Sequence, residues 1–286
     1  MSEPTTYTLE VPGAVLTYDV HQPTGPGDHR PLFIFGSPMG ASGFAQLVSH
    51  FGDRTLITYD PRGMDRSTRT PGGKLTAETH AEDYHRVIEA VGGGPVDAFG
   101  SSGGGMCALH WVVAHPEDVH TLVSHEPPLV TLLEDREIAI KANADIVATY
   151  RRDGFGPAMA KFMLLVMRQS RLTAGYLDQP APDPAQFGLP REDDGSRDDP
   201  LLSGNLAMPP FEPDAEALRG SSVRIVPAIG EAGEGSLARR GGKALAALLG
   251  VAPVVFPGDH GGFAANQWSP NNDPGGFAQK LRGVLE

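Results

Sequence analysis

The stretch FGSSGGGM, residues 99–106, places two adjacent serines in a run of glycine. Ser102 is the centre of a Gly-x-Ser-x-Gly pattern, because Gly100 and Gly104 stand two positions away on either side. A sharp strand-to-helix turn strains its central residue and requires neighbours that are nearly free of side chain. An apolar strand pattern precedes Ser102 and a helix pattern follows it, so we predict that Ser102 is a nucleophile. The plain alternative is a glycine-rich turn that only packs a helix on a sheet.

A serine nucleophile needs a base, and His260 is the best placed of the ten histidines. It lies in PGDHGGF, a glycine-rich loop that directly follows the last predicted strand, and such loops carry catalytic groups. Four other histidines recur at every fifth position, a spacing that does not line one helical face and predicts no metal cluster. They are His110, His115, His120 and His125. The alternative for His260 is a solvent-exposed loop histidine.

The base in turn needs a carboxylate that orients it, and several compete for that role. Glu126 follows the predicted strand after Ser102, whereas Glu231 and Glu234 follow the next strand. Either strand end can reach His260. Asp259 is adjacent to His260 in the chain and points the wrong way to serve it easily. The residues alone leave the choice open.

An oxyanion formed during acyl transfer needs hydrogen-bond donors. The loop FGSPMGAS follows the predicted strand at 31–36, and the predicted turn at Ser102 leads directly into a helix. We therefore predict that the backbone N–H groups of Ser37 and Gly103 form an oxyanion hole. The alternative is an ordinary tight loop in which the Ser37 side chain bonds locally.

These groups must be held by a framework, and the apolar pattern predicts one. Short β-branched or aromatic runs that end in turn signals indicate buried strands. They lie at 31–36, 54–60, 95–100, 119–126, 221–230 and 252–258. Helical patterns at 75–92, 103–115 and 236–250 separate most of them, and two alternating runs near the start suit an antiparallel edge. We predict an α/β fold: a mostly parallel sheet of about eight strands flanked by helices.

Residues 130–217 break the alternation of strand and helix, so we predict that they form a helical cap inserted into a core of residues 1–129 and 218–286. The Pro- and Asp-rich stretch 178–200 predicts a loop within that cap. An apolar stripe at helical spacing offers candidate substrate contacts, namely Phe155, Met159, Phe162 and Met163. The alternative for each is packing of the cap on the core.

The composition of the 286-residue chain limits the classes of partner that we expect it to bind. A formal net charge of −12 argues against nucleic acid and anionic membrane surfaces. Cys107 is the single cysteine, so no disulfide forms within the chain. We expect no signal peptide, because the first residues contain no basic region and no long apolar run, and no apolar run in the sequence approaches about 18 residues. We expect a cytoplasmic protein that binds a small molecule, and no oligomeric state is predicted.

Taken together, these motifs resemble the α/β-hydrolase superfamily over nearly the whole chain. The order nucleophile, acid, histidine is the order of that family. The stretches that carry the resemblance are FGSPMGASGF (35–44), YDPRGMDRS (59–67), FGSSGGG (99–105), SHEPP (124–128) and FPGDHGGF (256–263). The resemblance implies the fold above, a serine triad, and chemistry without a cofactor or metal.

Two departures from the family pattern matter. Phe35-Gly36 stands where the oxyanion loop usually begins His-Gly, so the packing of that loop must differ. Asp65 replaces a common glycine.

The position of the acid distinguishes subgroups of the family. Most members place an aspartate after the strand that corresponds to 223–229, but a minority place the acid one strand earlier, where Glu126 stands. In this the chain is similar to the zearalenone-type lactone hydrolases, and the resemblance favours Glu126 over Glu234 and Glu231.

The expected activity is hydrolysis of a carboxylic ester or lactone of an apolar small molecule through an acyl-enzyme. A serine nucleophile disfavours the dehalogenase and epoxide hydrolase chemistries of this fold, which use aspartate. Three alternatives remain: a cofactor-free perhydrolase or haloperoxidase, a C–C bond hydrolase, and a non-catalytic ligand-binding protein.

Overall fold

A computed structural model describes residues 3–25, 29–70, 75–265 and 269–286. Within them, eight strands form one sheet whose central members are buried on both faces, as β-branched and aromatic runs predict. The strands are β1 Thr5–Val11, β2 Ala14–His21, β3 Leu32–Ser37, β4 Leu56–Asp60, β5 Val96–Ser102, β6 Val119–His125, β7 Arg224–Gly230 and β8 Val254–Phe256.

The strand order across the sheet is β1-β2-β4-β3-β5-β6-β7-β8. β2 is antiparallel to both β1 and β4, and every other pair is parallel. The carboxyl ends of the parallel strands therefore meet at one edge, where Ser37 pairs with Ser102 and Ser101 pairs with His125. The predicted α/β sheet with its antiparallel edge is confirmed.

Helices cover both faces of the sheet. The α-helices of the described residues are α1 Ala45–Val48, α2 Ala77–Ala90, α3 Gly103–Ala114, α4 Arg136–Asp153, α5 Phe155–Val166, α6 Ala215–Gly220, α7 Leu237–Leu249 and α8 Pro274–Leu285. None of them has the length and apolar character that crossing a bilayer requires.

The two faces of the sheet bury separate cores because side chains alternate along each strand. On β3, Phe33 and Phe35 belong to one cluster, whereas Leu32 and Ile34 belong to the other. All four side chains are fully buried. Burial of each stabilises the fold by about 1.5–3 kcal/mol, so β3 fixes the start of the loop that follows it.

Residues 130–217, which we call the cap segment, contain α4 and α5 and no strand, and all of them are described. Ile146, Leu165 and Leu202 belong to a third apolar cluster formed largely within this segment. The stretch 178–200 carries only one short 3₁₀ turn, Pro184–Phe187, before the turn that begins at Pro200. The boundaries of the cap as a domain stay a prediction.

Asp60, the last residue of β4, anchors the loop that follows β3. Its Oδ1 accepts a hydrogen bond of 2.8 Å from the backbone N–H of Ala41, and its backbone carbonyl accepts one of 2.6 Å from the Ser67 hydroxyl. Asp60 is almost completely buried, so these bonds are shielded from water. The first bond holds the loop after Ser37 against the end of β4, and the second holds the loop after β4 against the same residue.

Candidate active site

Ser102 lies at the carboxyl end of β5, where the chain turns directly into α3. Its φ of 55° and ψ of −129° are values that residues with a side chain rarely adopt. A Cβ at Gly100 would lie 3.0 Å from the Cα of Gly105. One at Gly104 would lie 2.8 Å from the Cα of Gly36. Both glycines are therefore required by close backbone contacts around the turn.

The two adjacent serines have different surroundings. Ser101 is 1% exposed, and among the described residues its hydroxyl has no hydrogen-bond partner. Ser102 lines a cavity at the carboxyl edge of the sheet, together with His260. Of the two hydroxyls, only the one on Ser102 is therefore placed to meet a substrate.

His260 lies in the loop that follows β8, and its side chain is about half exposed. Its Nδ1 lies 2.8 Å from Oε2 of Glu126, which is within hydrogen-bond distance. The contact joins residues 134 positions apart, because the ends of β6 and β8 lie at the same edge of the sheet. A carboxylate that binds Nδ1 fixes the imidazole tautomer and leaves Nε2 free to act as a base.

Glu126 follows β6 directly and has a φ of 46°. Its side chain is 1% exposed, and its second oxygen, Oε1, accepts a 2.9 Å hydrogen bond from the Gly230 N–H. Burial opposes ionisation of this carboxyl, but the hydrogen bond from His260 and the nearby imidazoles outweigh it, so the pKa of Glu126 is lower than usual. Glu126 is thus a carboxylate at neutral pH, with both oxygens occupied.

The other candidate acids have different partners. Glu234 is 77% exposed and forms ion pairs of 2.6 Å with Arg239 and 2.9 Å with Lys243. Glu231 is exposed and accepts a 3.2 Å hydrogen bond from the Gly258 N–H. In this structure the glutamate that contacts His260 is therefore Glu126, and the two others contact cations or backbone nearby.

Ser37 and Gly103, the predicted oxyanion donors, are neighbours. Ser37 is the last residue of β3 and is paired with Ser102, and Gly103 is the first residue of α3. A Cβ on Gly103 would lie 2.8 Å from the Ser37 carbonyl oxygen, so the two backbones are in contact. The side chain of Ser102, the N-cap residue, makes no capping hydrogen bond at the start of α3, so the helix dipole and first N–H groups there favour an anion.

A cavity of about 850 Å³ lies above these residues. Ser37, Ser102, Gly103 and His260 line its floor, and the cap segment supplies most of the remaining wall. The wall is mainly apolar and includes Met106, Ile140, Val147, Phe162, Leu206 and Phe211. Both the volume and the lining are typical of a site for a small molecule.

Comparison with known proteins identifies the family. Residues 32–175 match the model of the alpha/beta hydrolase fold. The chain is also 30% identical over 285 residues to the uncharacterized hydrolase YraK of Bacillus subtilis (strain 168), covering 98% of this chain and 95% of that protein. The chain belongs to the alpha/beta hydrolase fold family. Membership in this family supports hydrolase activity. The type of bond that is cleaved has to be argued from the chemistry of the site.

Solved structures of family members share the fold at low sequence identity. An esterase from Thermogutta terrifontis has a TM-score of 0.67 and 19% identity, covering 99% of this chain and 98% of that one. The enol-lactonase from Burkholderia xenovorans LB400 has a TM-score of 0.67 and 17% identity, covering 98% and 99%. At this identity the similarity shows the fold alone. The likeness to zearalenone-type lactone hydrolases in particular stays a prediction.

The predicted substrate contacts of this hydrolase-fold chain divide into two groups. Phe162 lines the cavity and also packs against the third apolar cluster. Phe155 and Met159 pack against the third apolar cluster, and Met163 is half-buried; the cavity wall includes none of these three. They lie on one helix, so helical spacing alone did not distinguish the side facing the cavity from the side facing the cap interior.

Sequence reasoning missed several polar residues of the cavity wall, of which Asn143, Arg151 and Asn205 belong to the cap segment. Asn143 and Arg151 lie on α4, and Asn205 follows the turn at Pro200–Gly204. The Nδ2 of Asn205 donates a 2.7 Å hydrogen bond to the hydroxyl of Ser37. The spacing of Asn143 and Arg151, eight residues apart on a helix, is a signal that could have placed them on one face. Asn205 has no such local signal.

One group of side chains elsewhere has the composition of a metal site. Ligand atoms of His85, His115 and Glu117 lie within 4.8 Å of one another. The two imidazole rings are stacked, however, at 3.7 Å with an angle of 8° between their planes. Parallel rings direct their in-plane lone pairs along separate lines, so the two imidazoles do not converge on one ion. The three residues are also not among those that line the cavity.

Proposed function

We propose that the protein hydrolyses carboxylic esters or lactones of apolar small molecules through an acyl-enzyme on Ser102. The observation that carries the proposal is the 2.8 Å contact between His260 and the buried Glu126, beside a cavity that Ser102 also lines. A serine, a histidine and a carboxylate in this arrangement activate the serine hydroxyl for attack on an acyl carbon.

In the first half of the reaction, the Ser102 oxygen attacks the carbonyl carbon while its proton passes to Nε2 of His260. The carbonyl oxygen gains negative charge, which the N–H groups of Ser37 and Gly103 stabilise by several kcal/mol. Glu126 stabilises the imidazolium through its hydrogen bond to Nδ1. The tetrahedral species then collapses, and the alcohol leaves with the proton from Nε2.

In the second half, water attacks the acyl carbon and gives one proton to His260. The acid is released as the Ser102 oxygen recovers its proton. A lactone follows the same route, except that its alcohol remains attached to the acyl group. No step requires a metal or cofactor.

The cavity supports an apolar small substrate. Its described lining includes one permanently charged side chain, Arg151, and the other side chains are mainly aliphatic or aromatic. Transfer of apolar surface into such a wall favours binding by about 25 cal/mol for each Å² buried. The side chain of Phe162 and the flexible side chains of Met106 and Met208 can adapt to an irregular ligand.

A fluorophosphonate probe tests the nucleophile. We expect the folded protein to be labelled on Ser102, as mapped by peptide mass spectrometry, and Ser102→Ala to lose both label and esterase activity. Ser101→Ala is the matched control and should keep both, provided that its melting temperature is that of the wild type. Absence of label on Ser102 in folded protein, or peroxide-dependent halogenation without ester turnover, would reject the proposal.

A further inference from the structure

A side chain of the cap segment contacts the predicted oxyanion hole. Asn205 and Ser37 are 168 positions apart, and the Asn205 Nδ2 lies 2.7 Å from the Ser37 Oγ. Ser37 is buried and Asn205 half-buried, and both line the cavity that contains Ser102. The bond is thus partly protected from water at the place where an acyl group would react.

The direction of this hydrogen bond determines where the Ser37 proton points. An amide nitrogen donates and does not accept, so the Ser37 oxygen is the acceptor. The hydroxyl keeps one proton of its own, which must point to a different acceptor. Within the described residues, Asn205 is the only hydrogen-bond partner of the Ser37 hydroxyl. Its proton is therefore available to a molecule in the cavity.

The Ser37 side chain also begins next to the residues that are predicted to surround the oxyanion. A Cβ on Gly103 would be 3.4 Å from the Ser37 Cβ, so the Ser37 side chain starts adjacent to the first residue of α3. Ser37 is the strand partner of Ser102 in the parallel register between β3 and β5. The Ser37 side chain thus begins beside both the nucleophile and the first residue of α3.

We propose that the Ser37 hydroxyl donates a third hydrogen bond to the oxyanion, and that Asn205 is the positioning residue that turns it toward the cavity. This inference rests on the acyl-transfer function proposed above. It makes Ser37 a catalytic residue through its side chain as well as its backbone. It also makes the donor geometry dependent on the cap segment, because Asn205 belongs to that segment and Ser37 to the sheet.

Ser37→Ala removes the hydroxyl and keeps the backbone N–H. Loss of one oxyanion donor lowers kcat by about 10²-fold, and we expect a loss of this order with KM little changed. The affinity for a trifluoromethyl ketone, which forms a tetrahedral oxyanion with the nucleophile, should fall in parallel with kcat. A residue that only packs would change neither in that way. An unchanged kcat in a variant that melts like the wild type would overturn the inference.

Variants of Asn205 test the direction of the hydrogen bond and also serve if Ser37→Ala does not fold. Asn205→Asp offers only acceptors, so it should draw the Ser37 proton away from the cavity and lower kcat. Asn143→Asp is the matched comparison, because it adds the same charge to the cavity wall, and among the described residues Asn143 has no hydrogen bond to the Ser37 hydroxyl. The inference fails if Asn205→Asp lowers kcat no more than Asn143→Asp does.

A double-mutant cycle separates Asn205 acting through Ser37 from Asn205 acting directly. Asn205→Leu frees the hydroxyl to rotate and should lower kcat by about tenfold or less, the value of one ordinary hydrogen bond. In a Ser37→Ala background it should have no further effect on kcat. An equal loss in that background would show that Asn205 itself meets the oxyanion and would overturn the role proposed for Ser37.

The fluorophosphonate experiment keeps this inference distinct from the proposed function. If Ser102 is labelled and esters turn over, but the Ser37 and Asn205 variants behave like wild type, only the third donor is rejected. If Ser102 is not labelled, the proposed function is rejected, and with it the reaction in which the donor would act.

Discussion

The ends of two adjacent parallel strands, β6 and β7, each offer a glutamate at the same edge of the sheet, but the two ends differ in their surroundings. Glu126, after β6, is 1% exposed and contacts His260 and the Gly230 N–H. Glu234, after β7, is largely exposed and contacts Arg239 and Lys243. The two carboxyls have similar positions in the strand-end pattern and different electrostatic environments.

The difference shows what an orienting carboxylate requires. A buried carboxylate is costly unless its oxygens are satisfied, and Glu126 meets that condition with an imidazole and a backbone N–H. The carboxylate of Glu234 is solvated and carries no such cost of burial. Hydrogen bonds from Lys243 and Arg239 lower its pKa. A position near a strand end is therefore not enough to identify the orienting carboxylate. Burial and hydrogen-bond partners distinguish Glu126 from Glu234.

The comparison is tested most strongly by substituting the two glutamates, for which we expect the largest difference in kcat. Glu126→Gln cannot stabilise the imidazolium and can hold the wrong tautomer, so we expect kcat to fall by about 10⁴-fold, as for the aspartate of a serine triad. Glu234→Gln should leave kcat within about twofold, since its partners lie outside the triad. Steady-state kinetics on one ester, with melting curves of both variants, measures the difference. If Glu234→Gln alone loses activity, the assignment of the acid to β6 is wrong.

Much of the fold could be predicted from the sequence because its signals are local. Apolar β-branched runs between helical patterns specify a covered parallel sheet, and Gly100 and Gly104 specify the turn at Ser102. The observed strands differ from the predicted ones by a few residues at their ends. The nucleophile and the histidine are local features of the same kind, and their roles stay predictions.

The remaining parts of the site depend on contacts that no local pattern contains. The choice between Glu126 and Glu234 depends on burial and on where Arg239 and Lys243 lie in space. Asn205 reaches Ser37 across 168 positions, and its own stretch carries no periodic signal. On α5 both the cavity and the cap interior are apolar, so hydrophobic spacing could not assign Met159 to one of them.

A second prediction concerns how the free energy of unfolding falls in acid, and it also tests the difference between the ends of β6 and β7. His125, at the end of β6, is fully buried among aromatic rings, and among the described residues neither ring nitrogen has a hydrogen-bond partner. Burial lowers the pKa of His125 from 6.5 to about 4. The unfolded chain therefore binds the proton first, and stability is lost as the pH falls from about 6.5 to about 4, by on the order of 3 kcal/mol.

We expect His125→Leu to flatten that part of the curve of unfolding free energy against pH, measured by urea denaturation at each pH. Among the described residues the buried ring nitrogens of His80 on α2 have no hydrogen-bond partner, and burial lowers its pKa to about 4, so His80 should maintain a residual slope. A slope that is equally steep after His125→Leu would show that the β6 end is not the acid-sensitive one.

A third, smaller effect tests the link between the two ends. Arg239 is almost completely buried, and its Nε donates a 2.7 Å hydrogen bond to the Gly230 carbonyl, while the Gly230 N–H binds Glu126. Arg239→Met leaves that carbonyl without its charged donor, so we expect a loss of about 2 kcal/mol in the free energy of unfolding. We also expect a modest fall in kcat, because Gly230 helps to hold Glu126. If stability falls and kcat does not, the two strand ends act independently.

The smallest effect is expected at Glu231, the first residue after β7. Its side chain accepts a 3.2 Å hydrogen bond from the Gly258 N–H, but two backbone bonds join the same loops: Glu231 N–H to the Phe256 carbonyl at 2.9 Å, and Ala232 N–H to the Gly258 carbonyl at 3.0 Å. Glu231→Ala keeps both, so we expect a loss of about 0.5 kcal/mol or less in the free energy of unfolding. We also expect kcat within about twofold of wild type, an interval that ordinary surface substitutions produce. A tenfold fall in kcat without a change in stability would mean that the side chain, rather than the backbone, positions the loop that carries His260, and the β7 end would then share the role that the structure gives to β6.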